Sequence, residues 1–131
     1  MTNKHANGEL TRSIDALSEV SKTIVFNGTH SQYTHYSHAN NCTMRFAIYL
    51  PPNASSKKRV PVIYWLSGLT CTDENFMQKA GALKTAAQLG VAIVAPDTSP
   101  RGEEIPDDPQ QSYDFGLGAG FYLNATKAPY N

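Results

Sequence analysis

Residues 60–66 read V-P-V-I-Y-W-L and residues 91–95 read V-A-I-V-A. Neither run alternates apolar with polar, so each fits a strand covered on both faces, as in a parallel sheet. Between them, Phe76, Met77, Ala80, Leu83, Ala86, Ala87 and Leu89 recur at helical spacing. The pattern predicts a helix over 73–89, with an N-cap at Thr72 or Asp73 and Gly90 as its C-cap. Strand, helix, strand is a crossover unit, so the fold class is α/β.

Upstream, residues 42–50 alternate, with Met44, Phe46, Ile48 and Leu50 on one face and Thr43, Arg45, Ala47 and Tyr49 on the other. That is the period of a half-buried strand, ended by Pro51-Pro52. Residues 31–38 are rich in Tyr, Thr and His and suit an edge strand paired with it in an antiparallel hairpin or meander. Residues 1–21 are polar and read as an N-terminal extension, which leaves 22–131 for the folded unit. Two buried parallel strands need helices on both faces, yet the sequence offers one convincing helix. The chain therefore reads as part of a domain, with an uncovered face and open edges.

Composition narrows the function. Lys+Arg and Asp+Glu are both 11, so the formal net charge is zero. That balance argues against a nucleic-acid footprint or a polybasic membrane patch. No apolar stretch reaches the roughly 18 residues of a membrane span. Met1 to Val20 is broken by Lys4, Glu9, Arg12, Asp15 and Glu19 and has no secretory h-region, so a cytoplasmic protein is expected. On that reading the N-x-S/T triplets at Asn27, Asn41, Asn53 and Asn124 are chance matches. Two cysteines, Cys42 and Cys71, cannot build a disulfide scaffold or a four-thiolate zinc site.

Several constellations of chemistry-bearing residues also have plainer readings. His30, His35, His38 and Cys42 resemble a metal cluster, but on an extended strand His35 points away from His30 and His38, so no site converges. Cys71 precedes a helix, yet no histidine follows residue 38 to act as its base, and it reads as a loop cysteine. The glycines of G-L-G-A-G at 116–120 lack the phosphate-loop lysine and read as a tight turn. Asp97, Asp107, Asp108 and Asp114 read as solvated loop carboxylates. Ser67, in W-L-S-G-L, is not a nucleophile elbow. The segment S-G-L-T-C-T at 67–72 leaves a strand and enters a helix, where α/β-hydrolases place one amide of their oxyanion hole. An ordinary strand-to-helix loop fits that spacing equally well.

Residues 21–131 resemble the S-formylglutathione hydrolase (esterase D) family. The matching segments are Y-L-P-P at 49–52, Y-W-L-S-G-L-T-C-T at 64–72, N-F at 75–76, A-P-D-T-S-P-R-G at 95–102 and G-A-G-F-Y-L-N-A-T at 118–126. F-N-G-T-H-S-Q-Y-T-H at 26–35 adds weaker support, with Asn27 and His30 departing from the family pattern. The resemblance implies the N-terminal half of an α/β-hydrolase. The complete enzyme would be a cytosolic homodimer that splits the small thioester S-formylglutathione into formate and glutathione, without metal or organic cofactor. Its Ser-Asp-His triad, with the serine in a G-H-S-M-G-G elbow, would fall beyond Asn131. Of the catalytic machinery, the resemblance assigns only Leu69, as the loop N–H of the oxyanion hole. Gly68 and Cys71 would lie near the active site, Cys71 without being the nucleophile. A chain of these 131 residues is then expected to be inactive and poorly folded. A carboxylesterase with another acyl substrate and a non-catalytic half-domain are the alternatives.

Overall fold

The computed structural model describes residues 16–121 and 123–129. Residues 1–15 of the expected extension lie outside the described residues. Its last part does not behave as one: β1 (Ser18–Val25) is a strand, antiparallel to β2 (Gly28–Ser37) with a bulge between Glu19 and Ser21. β2 also pairs along its length with β3 (Cys42–Leu50). It is therefore an interior strand, contrary to the edge position its polar sequence suggests, and Ser31 and Gln32 are buried in it.

The chain then runs through β4 (Val62–Tyr64), α1 (Asp73–Lys79), α2 (Leu83–Leu89) and β5 (Ala92–Pro96). The sheet order is β1-β2-β3-β5-β4. β5 is antiparallel to β3 and parallel to β4, so the crossover unit expected from the two apolar runs is present. The expected single helix is two. Gly81 takes a left-handed φ of 65° between them, and its sequence context fits the helical period too well to announce the break. The ends match expectation. Thr72 caps α1 in a capping box with Asn75, and Gly90 closes α2 at φ 68° with its N–H shared between the Ala86 and Ala87 carbonyls.

α1 packs over β3 and β5, and α2 over β5. Ala47, Tyr49, Ile93 and Ala95 meet Met77, Leu83 and Ala86 there and form the core. The deepest residues of β3 are thus Ala47 and Tyr49, both 0% exposed, and not the Ile48 and Leu50 face. Tyr49 spans the core and donates its hydroxyl to the Val25 carbonyl at 3.1 Å. The opposite sheet face, with Ile48, Leu50, Val62, Tyr64 and Val94, is an open trough. β4 was expected to be covered on both sides. It is an edge strand among the described residues, as β1 is on the other side, and Val62, Ile63 and Tyr64 are 45%, 53% and 68% exposed. Trp65, which reads as core, is likewise 43% exposed, with one ring face stacked on Phe76.

Met77 carries the helix side of this core almost alone on α1, at 5% exposure. Met77→Ala is expected to cost about 2–5 kcal/mol through lost burial and the cavity left behind. Chemical denaturation would show it as a lower midpoint at unchanged slope.

Candidate active site

Because β4 and β5 are parallel, the loops leaving their carboxyl ends emerge along one sheet edge. The Trp65 amide extends the pairing by donating to the Val94 carbonyl at 2.8 Å. From there residues 66–72 lead into α1, while residues 97–102 follow β5. A third segment, 116–120, lies against both.

Gly68 to Cys71 forms a β-turn closed by the Cys71 amide donating to the Gly68 carbonyl at 3.1 Å. Leu69 and Thr70 are its central residues, and Thr70 has φ 66°. A positive φ at the second central position is the type II geometry, which glycine or asparagine ordinarily fills. A β-branched residue there is an outlier, and the left-handed region costs an L-residue about 1–2 kcal/mol. Ties to the neighbouring segment hold it: the Thr70 amide donates to the Gly118 carbonyl at 3.0 Å. Among the described residues the Leu69 amide has no acceptor, and the space beside Gly68 is open. The Gly68 amide likewise has none, so the entry side of the turn presents unpaired N–H groups, Leu69 at its first central position, near an open region at the end of β4. An N–H fixed in this way can donate to a negative oxygen developing in a transition state.

The segment after β5 is built around Asp97, which is 7% exposed and not a solvated loop carboxylate as its sequence suggests. Its Oδ1 accepts the Ser99 amide at 3.2 Å and its Oδ2 accepts Arg101 Nε at 2.8 Å. Arg101 Nη2 donates in turn to the Cys71 carbonyl at 3.0 Å. The Gly118 amide donates to Ser99 Oγ at 3.1 Å, closing the link between the three loops. Sequence reasoning missed Arg101, whose one signal is its place four residues after Asp97 in P-D-T-S-P-R-G. Asp107 and Asp108 organise their own loop, accepting the Leu117 and Ser112 amides respectively, and Asp114 is exposed. The glycine-rich segment is the expected turn, with Gly116 and Gly118 at φ 81° and 80°.

Cys71 is a half-buried free thiol at the end of the turn. Cys42 sits on β3 against Met44, and burial pushes its thiol up. The histidines are dispersed. His30 Nε2 lies 3.3 Å from Glu74 Oε1, His35 packs edge-on against Phe46, and His38 against Tyr36. No group of three or more His, Cys, Asp or Glu able to hold a metal occurs among the described residues. No helix among them is long and apolar enough to cross a membrane.

Comparison with known proteins identifies the family. The family model described as "Putative esterase" matches residues 37–131. The chain belongs to this esterase family, and its open, incompletely closed sheet with helices on one face is a partial α/β-hydrolase fold. Within the family it is homologous to S-formylglutathione hydrolases. It is 57% identical over 111 residues to the enzyme of that name from Arabidopsis thaliana, covering 85% of this chain and 39% of the relative. The solved S-formylglutathione hydrolase of Agrobacterium tumefaciens is 42% identical with a TM-score of 0.81, over 86% of this chain and 40% of that one. A ferulic acid esterase from Anaeromyces mucronatus, 22% identical with a TM-score of 0.53 over 69% of this chain and 34% of its own, shares the fold. The chain thus spans about two fifths of the length of the S-formylglutathione hydrolases it matches.

Beneath the site, Asp73 is 1% exposed and accepts Gln32 Nε2 at 2.7 Å. Burial is the largest influence on its carboxyl and raises it above the ordinary 3.8, with the Gln32 hydrogen bond opposing. A native value above the unfolded one means that its contribution to stability is fully present below pH 3.8 and is lost as pH rises through the raised value. Asp73→Asn keeps an acceptor for Gln32 and removes the buried charge. It is expected to raise Tm at neutral pH, with the gain disappearing below about pH 4. A Tm-against-pH series for both proteins checks this.

Proposed function

We propose that this chain supplies the loop half of the oxyanion hole in a serine thioesterase acting on S-formylglutathione. The free Leu69 amide, held at the end of β4 by a strained turn, is the observation that carries the reading. The homology to enzymes named S-formylglutathione hydrolase supports the substrate.

In the complete enzyme the activated serine attacks the formyl carbon. The carbonyl oxygen becomes an oxyanion, to which the Leu69 N–H donates together with the amide following the serine. Collapse expels the glutathione sulfur, which is protonated by the triad histidine as general acid. Water then hydrolyses the formyl-serine to formate. The nucleophile elbow G-H-S-M-G-G does not occur within residues 1–131. A chain of these 131 residues alone is expected to turn over no thioester, which an assay on S-formylglutathione checks. Relative rates on S-formylglutathione and simple aryl esters separate this activity from that of a carboxylesterase with another acyl substrate.

A backbone donor can be removed here without breaking the turn. Leu69 is the first central residue of a type II turn, where proline is well accommodated and has no N–H to give. The test uses a full-length hybrid in which this chain replaces the matching part of the Arabidopsis thaliana hydrolase. Leu69→Pro is expected to lower kcat on S-formylglutathione about 10²–10³-fold, the usual loss for one oxyanion donor, with little change in KM. An unchanged kcat would sink the reading.

A further inference from the structure

We propose that Arg101 is a positioning residue for the Leu69 amide, its guanidinium locking the Gly68–Cys71 turn to the buried Asp97 carboxylate. The inference rests on the reading of Leu69 as the oxyanion donor and extends it to what aims that donor.

Arg101 uses two different nitrogens. Nε donates to Asp97 Oδ2 at 2.8 Å and Nη2 to the Cys71 carbonyl at 3.0 Å, thirty residues away in sequence. Cys71 is the last residue of the turn, so this bond fixes the turn's exit. The anchor at the other end is rigid. The Asp97 amide donates to the Arg45 carbonyl of β3 at 2.8 Å, and its second oxygen accepts the Ser99 amide. A continuous path of hydrogen bonds therefore runs from the sheet through Asp97 and Arg101 to the turn.

The surroundings are shaped for the guanidinium. A Cβ built on Gly118 would lie 3.1 Å from Arg101 Nη1, so glycine there leaves the fork room. Gly118 also accepts the Thr70 amide, and the turn is gripped from both sides. That grip matters because Thr70 is held in the left-handed region, and a strained turn relaxes when its tethers go. An ordinary surface ion pair would have little effect on anything. This one differs in that its acceptor is buried and its second bond goes to backbone. Lysine, with one ammonium at a different reach, cannot reproduce the two-nitrogen bridge.

The full-length hybrid provides the test. Arg101→Ala is expected to lower kcat about 10–100-fold, the scale of a small misplacement of a catalytic group, at nearly unchanged KM. Added guanidinium ion at non-denaturing millimolar concentration should restore a severalfold part of the loss, which a general stability defect would not show. Arg101→Lys should stay close to Arg101→Ala. Wild-type kcat in either variant, or a loss that guanidinium leaves unrelieved, overturns the proposal. Leu69→Pro in the same hybrid separates the two readings. If Leu69→Pro is impaired while Arg101→Ala is normal, the clamp alone falls. If Leu69→Pro retains full kcat, the oxyanion reading falls, and the clamp with it. Should the hybrid itself be inactive, amide exchange in the folded hybrid decides. Arg101→Ala should speed exchange of Thr70 and Cys71 about tenfold with Ile93 unchanged, and either unchanged exchange or a uniform rise overturns it.

Discussion

The pairing of β5 with β3 on one side and β4 on the other is the constraint on which the candidate site depends. Parallel pairing with β4 brings the carboxyl ends of both strands to one sheet edge, where ligands of open α/β sheets generally bind. Antiparallel pairing with β3 lets the Asp97 amide, just past the end of β5, reach the Arg45 carbonyl. Asp97 is thereby seated before any side chain acts, and the Asp97–Arg101–Cys71 path starts from a fixed point. The core reinforces the same arrangement, since Ile93 and Ala95 of β5 carry the contacts with both helices.

What was legible in the sequence was local. The apolar runs at 60–66 and 91–95, the Thr72 cap and the Gly90 stop each depend on a few adjacent residues, and the structure contains them all. Features set by distant partners were not legible. Ser18–Val25 is exposed along nearly its whole length, so it carries no alternation to mark it as a strand, and only its pairing with β2 makes it one. That pairing in turn moves β2 from the edge to the interior. Which face of β3 lies deeper depends on which side α1 and α2 occupy, and alternation alone gives both faces equal standing.

The site divides in the same way. Spacing put 67–72 in a strand-to-helix connection, as the structure has it, and the family resemblance singled out Leu69 within it. The property that the proposed role of Leu69 requires, an amide with no acceptor, comes from a turn whose type no residue predicts: threonine stands where glycine or asparagine is ordinarily required. Bonds from Gly118 to Thr70 and from Arg101 to Cys71 impose that geometry from 48 and 30 positions further along the chain respectively. The burial of Asp97 follows the same logic, since a carboxylate among prolines and acidic residues reads as solvated until its arginine is placed beside it.

Trp65 is the one tryptophan of the chain. It stands at the end of β4, and its indole stacks on Phe76 of α1 with ring centroids 4.1 Å apart and planes 23° from parallel. The two rings bracket residues 66–72, one before the loop and one after it, so the stack is a bridge across the mouth of the turn. Any movement of α1 relative to β4 alters how much of the indole meets water. The single indole of the chain thus stands where strand, loop and helix meet, and its emission, excited apart from that of the seven tyrosines, reads out the posture of that junction.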